Sequence, residues 1–212
     1  MKILITGGTN GMGKGTAKVL AAIDNHIHEI IILCRSDAFG KAVIEEIERD
    51  TSNKKISIIV CDLAKLSDVR EAVKEIQSKH NYLDGIFINA GLGYAANRVE
   101  ADNEMDLHFQ VNYLSQFMLT LNLLDLLESS ENGGRVIFNV NKGGQIFWDN
   151  MQMKNKWGYV RGIQQAMAAK RMFLYKLHRL CRSKNKSKLS FIGFQIPKTV
   201  WSNQVNIIPA SM

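Results

Sequence analysis

Three glycines near the start of the sequence have a spacing that suits the binding of a phosphate group. Gly7, Gly11 and Gly13 follow the apolar run 2–5 and precede the helical stretch 14–23. A strand, a glycine turn and a helix hold the pyrophosphate of a dinucleotide, because free N–H groups and the helix dipole face the anion. Gly7 permits the tight turn, Gly11 admits phosphate without a Cβ in the way, and Gly13 brings helix and strand together. A glycine turn that binds nothing is the alternative, but its position between strand and helix favours dinucleotide binding.

The end of the second apolar run indicates which dinucleotide is bound. Enzymes that use NAD commonly place an acidic residue there for the ribose hydroxyls, whereas an arginine suits the 2′-phosphate of NADP. This sequence has Cys34 at that position, followed by Arg35 and Ser36. A guanidinium forks onto phosphate and stacks on adenine, and the serine hydroxyl adds a donor. We therefore predict NADP(H) in preference to NAD(H), with an ordinary surface cation at Arg35 as the alternative.

Strands and helices alternate along the chain. The predicted strands are Lys2–Thr6, Glu29–Cys34, Ile56–Cys61, Leu83–Asn89, Arg135–Val140 and Leu189–Ile196. The predicted helices are Gly13–Ile23, Asp37–Asp50, Ser67–Lys79, Asp102–Glu128 (two helices end to end) and Arg161–Arg182. Continuous apolar strands are typical of a parallel sheet covered on both faces. We predict an α/β fold with a Rossmann-type doubly wound parallel sheet, in a single domain over residues 1–212, with ligands at the carboxyl ends of the strands.

Composition narrows the class of protein. The chain has 212 residues, 46% hydrophobic and 22% charged, which is ordinary for one soluble domain. Its three widely spaced cysteines form no metal pattern and no obvious disulfide set, and no apolar run reaches the roughly 18 residues of a membrane helix. The first strand begins at residue 2, so no signal peptide is expected. These observations predict a cytoplasmic protein without a metal site or a transmembrane segment.

Much of the net charge of +7 comes from basic residues between positions 170 and 188. Up to position 182 they are interleaved with apolar residues, which indicates an amphipathic helix with a cationic outer face. A solvated face is the ordinary interpretation, and an anionic partner or a membrane surface is the alternative. No aromatic stacking platform accompanies these residues, so binding of nucleic acid is not expected.

Four segments resemble the short-chain dehydrogenase/reductase family, in its order and at its spacings, over about residues 1–202. They are Thr6-Gly-x-x-x-Gly-x-Gly13, Val60-Cys-Asp-Leu63, Asn89-Ala-Gly91 and Val111-Asn-Tyr-Leu114. The resemblance implies that the cofactor is bound by Thr9, Asn10 and Met12 beside the three glycines, by Asp62 and Leu63 at adenine, and by Asn89, Ala90 and Gly91.

The resemblance also implies a catalytic set of serine, tyrosine, lysine and asparagine. In the family the tyrosine exchanges a proton with the substrate oxygen, the serine polarises that oxygen, and the lysine lowers the tyrosine pKa and holds the nicotinamide ribose. Lys170 matches the lysine and Asn112 the asparagine, whereas Ala166 stands where the tyrosine is expected. Asn141 and Lys142 replace the serines that usually end the fifth strand. Lys142 is a candidate acid if burial lowers its pKa, and otherwise a solvated lysine.

The segment 144–159 is longer than the usual spacing between the catalytic serine and tyrosine. It resembles an insertion in retinol-dehydrogenase-like and protochlorophyllide-reductase-like members, which act on hydrophobic carbonyls or alcohols. The apolar residues of this segment could form an adaptable lid over a hydrophobic substrate. Alternatively, they could pack onto neighbouring helices or form a dimer surface. The apolar residues concerned are Phe147, Trp148, Met151, Met153 and Trp157.

The end of the sixth strand resembles the family's segment beside the nicotinamide. Pro197 and Val200 match that segment, Ser202 replaces a threonine, and Lys198 replaces a glycine and would crowd the pocket. The chain ends ten residues after Ser202, which predicts an open substrate side or one completed by a partner chain.

The family's common arrangement predicts a homodimer. Its interface would use the two long helices, Asp102–Glu128 and Arg161–Arg182. Both carry more apolar positions than one sheet face needs, among them Phe117, Leu121, Leu124, Met172 and Leu180.

Three functions are consistent with these residues. The first is an NADP-dependent oxidoreductase for a hydrophobic carbonyl or alcohol, with hydride transfer weakened by the loss of serine and tyrosine. The second is an NADP-binding protein without redox turnover that serves as a regulator or partner subunit. The third is a lyase, isomerase or cyclase on the same fold that uses other residues, such as Lys142 or Lys170.

Overall fold

The computed structural model describes residues 1–23, 28–140, 143–184 and 188–195. Its six-stranded sheet is parallel throughout, in the order β3-β2-β1-β4-β5-β6. The strands are β1 (Lys2–Thr6), β2 (Glu29–Cys34), β3 (Ile56–Val60), β4 (Gly85–Ile88), β5 (Arg135–Asn139) and β6 (Ser190–Phe194). The predicted doubly wound α/β sheet is confirmed.

Seven α-helices connect and flank these strands in the described residues. They are α1 (Gly11–Ala22), α2 (Asp37–Thr51), α3 (Leu66–Lys79), α4 (Leu107–Phe109), α5 (Ser115–Asn122), α6 (Leu124–Glu128) and α7 (Tyr159–Ser183). A π-helical segment, Gln110–Leu114, joins α4 to α5, and a 3-10 turn spans Trp148–Asn150. Within the described ranges, no helix is both long and apolar enough to cross a membrane.

The predicted helical range Asp102–Glu128 is wrong at its start, whereas its division into consecutive helices agrees with the prediction of two helices end to end. The chain is non-helical before Leu107, because the buried carboxylate of Asp106 accepts a hydrogen bond from Phe109 N (3.0 Å) and caps α4. The helical run then widens into the π-helical segment, and it breaks again between α5 and α6 at Leu123. The other predicted bounds lie within about two residues of those observed.

The core has one layer on each side of the sheet, and β2 supplies both. Ile31 and Leu33 pack on the side of α3, α5 and α7, whereas Ile30 and Ile32 pack on the side of α1 and α2. Full burial of one such side chain contributes about 1.5–3 kcal/mol, so a continuous apolar strand is favoured only where both faces are covered. The two layers fix the carboxyl ends of β1, β2 and β4 next to each other.

On the α1 side, an open apolar hollow of about 450 Å³ lies against β1, β4, β5 and β6. Ile3, Phe87, Ile137 and Phe194 line it from the sheet, and Leu20 lines it from α1. The wall also includes Asp84, Gly85 and Arg135, from the amino ends of β4 and β5. Met12 of the glycine turn also lines the hollow, so it extends from the amino ends of β4 and β5 to the start of α1, beside the predicted cofactor-binding residues.

Candidate functional site

The glycine turn between β1 and α1 has the backbone geometry that its sequence predicts. Gly7 and Gly11 have φ angles of +67° and +51°, a region that other residues rarely adopt. A Cβ on Gly13 would lie 2.3 Å from the Gly7 carbonyl oxygen, so only glycine allows α1 to approach β1 this closely. A Cβ on Gly11 would meet no atom within 4 Å. The Gly11 backbone therefore borders open space at the start of α1, where an anion would be accommodated.

The residues beside these glycines have mixed roles. Asn10 caps α1, since its side-chain oxygen accepts a hydrogen bond from Gly11 N (2.7 Å). Thr9 and Met12 are partly or fully exposed at the same turn. All three lie where the sequence predicts contacts to a cofactor.

The carboxyl end of β2 presents an exposed arginine. Arg35 makes no hydrogen bond or ion pair with any of the described residues, so its guanidinium is available to an anion. Ser36 caps α2 by accepting from Phe39 N (3.4 Å), which leaves its hydroxyl hydrogen free to donate. Cys34 is buried and donates its thiol to Ser36 O (3.4 Å). Because position 34 is a cysteine, no carboxylate stands there to repel a 2′-phosphate.

The end of β3 forms a tight turn held by its own acidic residue. The Asp62 carboxylate accepts a hydrogen bond from Ala64 N (2.9 Å). Leu63 is buried, and its carbonyl accepts from the Ser115 hydroxyl (2.6 Å), which ties the turn to α5. These bonds fix the backbone that the sequence assigns to the adenine end of the site.

Asn89, Ala90 and Gly91 continue from β4 and are tied to β1. The Asn89 and Ala90 N–H groups both donate to the Thr6 hydroxyl (3.0 Å each), and Asn89 Nδ2 lies 3.3 Å from Thr6 O. A Cβ on Gly91 would lie 2.8 Å from Asn112 Oδ1, so this glycine permits a close approach of the two segments. Thr6 was not singled out by the sequence, although it anchors this edge.

The π-helical segment places Asn112 in the interior. Its side-chain oxygen accepts from Leu92 N (3.0 Å), whereas Asn112 Nδ2 is buried and has no hydrogen-bond partner among the described residues. Gln116 donates to Ala90 O (2.6 Å) and Val111 O (2.8 Å), and so joins the widened turn to the end of β4. The sequence predicted Asn112, but neither the π-helical geometry nor Gln116.

Lys170 projects from α7 into the interior and is 2% exposed. Its ammonium has no hydrogen-bond partner among the residues that the structure describes. Burial disfavours the charged form and lowers the pKa of Lys170 to about 7. Lys170 therefore loses its proton far more readily than a surface lysine does.

Ala166 lies one turn before Lys170 and is completely buried. It forms a buried cluster with Phe109 and Ala169, and Tyr113, Ile146 and Met151 are among the side chains that pack against this cluster. Ile146 and Met151 belong to the segment between β5 and α7. The position where the family has a tyrosine is therefore closed off by mainly apolar side chains, with the Tyr113 ring among them.

Gln165 holds that segment against α7. Its side-chain oxygen accepts from Phe147 N (2.9 Å), and its side-chain nitrogen donates to Met151 O (2.9 Å). Gly144 of this segment lies so close to the α7 backbone that a Cβ on it would be 2.3 Å from Gln164 O. No sequence pattern singles out Gln165, because its role depends on two backbone groups that lie 18 and 14 residues earlier in the chain.

The five residues predicted to form an apolar lid have different environments. Trp148 is 70% exposed, Met153 is fully buried, and Met151 packs near Ala166. Trp157 donates its indole N–H to the Asp106 carboxylate (2.7 Å), and Phe147 stacks under the Arg161 guanidinium at 4.3 Å. Most of these residues pack onto neighbouring helices, which is one of the alternatives that the sequence left open.

Tyr159 is the tyrosine that begins α7. Its ring contacts Tyr94 (5.2 Å) and His108 (5.5 Å) edge-on, and burial raises its pKa. It precedes Ala166 by seven residues, about 10 Å along the helix axis. Tyr159 therefore lies two turns from the vacant tyrosine position.

Several predicted site residues lie outside the described ranges. They are Lys142, with its neighbour Asn141, and Pro197, Lys198, Val200 and Ser202.

A parallel α/β sheet with a glycine turn between its first strand and helix defines a dinucleotide-binding class of fold. The sequence matches the profile of the short chain dehydrogenase family over residues 1–153. The chain belongs to this family, and the resemblance recognised in its motifs is confirmed.

The relatives place the chain near the retinol-dehydrogenase-like members, as predicted. Human polyprenol dehydrogenase is 32% identical over 183 residues, which are 84% of this chain and 54% of that protein. Human retinol dehydrogenase 11 is 30% identical over 128 residues, 60% of this chain and 39% of that protein. The chain thus spans about half the length, or less, of these curated relatives.

Among solved structures, NADPH-bound carbonyl reductase from chicken fatty liver has the same fold. The TM-score is 0.68 at 18% identity, and the match covers 91% of this chain and 77% of that structure.

Proposed function

We propose that this protein binds NADP(H) at the carboxyl ends of β1, β2 and β4. The residues fit the cofactor: Gly11 leaves room at the helix start, and Gly13 cannot carry a side chain. Arg35 is an exposed, unpaired cation at the end of β2, which suits a 2′-phosphate. The side chains of Asn89 and Asp62 hold the turns around this space by hydrogen bonds to backbone groups.

We propose a second, catalytic part of the site on α7. When bound, the cofactor supplies or accepts a hydride. Lys170 would hold the nicotinamide ribose through its ammonium, and Asn112 would position the π-helical turn beside it. Ala166 has no proton to donate to a substrate oxygen, so ordinary carbonyl reduction is slow. General acid–base help is typically worth about 10²–10⁴-fold.

The proposed substrate class is a hydrophobic carbonyl or alcohol of the isoprenoid kind. Ile146 and Met151 give the region beside Ala166 an apolar surface. The names of the relatives, polyprenol and retinol dehydrogenases, point to the same chemistry. Water would be the proton source for residual turnover, with rate supported by proximity alone.

The observation that carries this proposal is the buried Ala166 one turn from the buried Lys170. The test combines calorimetry with NADPH and NADH and a single-turnover measurement of NADPH oxidation with a retinal-type aldehyde. We expect NADPH to bind more tightly than NADH, and oxidation to be far slower than the usual 1–10³ per second. Turnover at ordinary rates would contradict the weakened chemistry, and absent binding would contradict the cofactor site.

Lys170 favours a second candidate function, in which the protein binds NADP(H) but catalyses no hydride transfer. An amine with a pKa of about 7 loses its proton far more readily than a surface lysine does, and it acts on protons without any tyrosine. Such a protein would serve as a partner subunit, or as a lyase, isomerase or cyclase. Deuterium incorporation into a ketone from heavy water, with no NADPH consumed and lost in Lys170→Met, would identify it.

The assembly and location stay predictions. A single domain over residues 1–212, a cytoplasmic location and a homodimer are proposed from the sequence. Of the apolar residues offered for the dimer, Phe117, Leu121 and Leu124 pack against their own core. Only Met172 and Leu180 are substantially exposed. Light scattering at micromolar concentration tests the dimer.

A further inference from the structure

Charge is distributed very unevenly along this chain. Residues 150–212 contain twelve lysines and arginines and no aspartate or glutamate. Residues 1–149 contain fifteen basic and twenty acidic residues. The net charge of +7 is therefore the sum of a negative charge on residues 1–149 and a larger positive charge on residues 150–212.

Helix α7 carries much of this positive charge on its outward side. The inward side of the helix is occupied by Phe173, Leu177 and Cys181, which pack in the core. Outward-facing cations and apolar side chains alternate along the last three turns. We call these six residues the outer face of α7: Met172, Tyr175, Lys176, Arg179, Leu180 and Arg182.

The apolar members of this face are unusually exposed for their size. Tyr175 is 63% exposed and Met172 is 49% exposed. No described element covers them. Large apolar groups next to long cationic chains are the composition of a helix that lies in the plane of a membrane surface, where the cations reach the headgroups and the apolar groups enter the acyl boundary.

The basic residues of the outer face lack the partners that other helices have. On α2 and α3, the exposed lysines Lys41, Lys74 and Lys79 each pair with a carboxylate on the same helix. Lys176, Arg179 and Arg182 pair with no carboxylate in the part of the chain that the structure describes. An internally neutralised surface is therefore typical of α2 and α3, but not of α7.

We propose that the outer face of α7 docks onto the surface of an anionic lipid bilayer. The positive face complements acidic headgroups, and Met172, Tyr175 and Leu180 supply the apolar contact. This inference does not depend on NADP(H) binding or on turnover. It places a source of hydrophobic substrate at the same helix that carries Ala166 and Lys170 on its inward side.

Charge favours lipid over the other occupants of this face. The homodimer predicted from the sequence would use this same face of α7, so a second copy and a lipid surface are alternative occupants. A second copy packed through α7 would bring like charges together, because α7 contains no acidic residue. Nucleic acid is a weaker fit, because Tyr175 is the single aromatic residue of the outer face and stacking on successive bases uses several.

The experiment measures flotation of the full-length chain with vesicles of phosphatidylcholine containing 30% phosphatidylserine. We expect binding to these vesicles, none to pure phosphatidylcholine, and release on raising NaCl from about 0.1 to 0.5 M, because salt screens exposed charges. The double variant Lys176→Glu/Arg179→Glu should lower the partition coefficient at least about tenfold. The double variant Lys55→Glu/Arg70→Glu makes the same change in net charge elsewhere on exposed residues, and should bind like the wild type.

A second measurement reports the docked face directly and does not rely on the charge variants folding. A polarity-sensitive dye on Tyr175→Cys should shift to the blue on anionic vesicles, whereas the same dye on Ser78→Cys of α3 should not. Equal shifts at both sites, equal loss of binding in both double variants, or no wild-type flotation would overturn the proposal. A stable dimer that buries the dye at position 175 until it is dissociated by dilution would also overturn the proposal. Binding to heparin without binding to vesicles would do the same.

Discussion

Two regions along the carboxyl edge of the sheet differ in how completely they keep the expected chemistry. The turns after β1, β2 and β4 have the glycine geometry, the unpaired Arg35 and the tied Asn89. On α7, by contrast, Lys170 is retained beside an alanine that mainly apolar side chains close off. Binding of a dinucleotide and proton transfer to a substrate depend on different residues, so one can persist when the other is lost. The following predictions test whether the two regions are as separate as they look.

The largest effect is expected in the first region, for Gly13→Ala. The added Cβ would lie 2.3 Å from Gly7 O and 2.7 Å from Asn89 Nδ2, and neither group can move without disturbing the turn. We expect the free energy of unfolding to fall by about 3 kcal/mol or more, as for other severe backbone clashes. NADPH binding should be lost in calorimetry.

Gly15→Ala is the matched control, because a Cβ there meets nothing within 4 Å. Alanine is the better helix former, so this variant should be more stable by about 0.5–1 kcal/mol. If Gly13→Ala binds NADPH like the wild type, the glycine turn is not the site.

The second prediction concerns the catalytic region on α7. Restoring a tyrosine at position 166 should return part of the proton-transfer chemistry that this region lacks. Ala166→Tyr alone overfills a closed position, at a cost of about 1–3 kcal/mol in stability. Combined with Met151→Ala, which makes room, it should raise the single-turnover rate of aldehyde reduction by about 10²-fold, the lower end of acid–base help.

Ala166→Phe with Met151→Ala supplies the ring without the hydroxyl. Equal acceleration by the phenylalanine variant would show that packing, and not proton donation, limits the rate. The further change Lys142→Ser, at the expected serine position, should add to the tyrosine variant and not to the phenylalanine variant.

A third prediction concerns the pH dependence that Lys170 imposes on stability. Its folded-state pKa of about 7 lies below the unfolded value of about 10.4, so the unfolded chain binds more protons between these pH values. Stability should therefore rise with pH in this window, by about 2 kcal/mol between pH 7.5 and 9. Well below pH 7 both states are protonated and this contribution becomes constant.

Urea denaturation at several pH values measures this slope. Lys170→Met removes the ionisable group and should flatten the profile, whereas Lys74→Met, at an exposed lysine, should keep it. An unchanged slope in Lys170→Met would assign the pH dependence to another group.

The smallest effect returns to the first region. Arg35→Ala should weaken NADP binding about tenfold, or about 1.4 kcal/mol, and leave NAD within about twofold, because only NADP carries the 2′-phosphate. Arg70→Ala, at an exposed arginine of α3, is the control. Equal weakening of NADP and NAD would show that Arg35 does not read that phosphate.

Local patterns carried the fold and the first region. The glycine turn and the apolar run of β2 each lie within a few consecutive residues, so the sequence alone predicts their conformation. The start of α4 and the π-helical segment could not be predicted, because they depend on Asp106 capping Phe109 N and on Gln116 reaching Ala90.

The environment of the catalytic position was also beyond the sequence. The sequence shows that residue 166 has no hydroxyl. It does not show that Ile146 and Met151 pack against the cluster that contains Ala166. That contact joins residues of an irregular segment to a helix, and no periodic pattern encodes it.

The two hydrogen bonds from Gln165 have a kinetic consequence. Ile146 and Met151 pack against the cluster that contains Ala166, and their segment is fastened to α7 through Phe147 N and Met151 O. For a molecule that enters through this segment, the frequency with which those bonds break sets an upper limit on the rate of entry. Amide hydrogen exchange at Phe147 reports these openings, because its N–H is protected while Gln165 accepts it. At a pH where exchange is faster than reclosing, the measured exchange rate equals the opening rate.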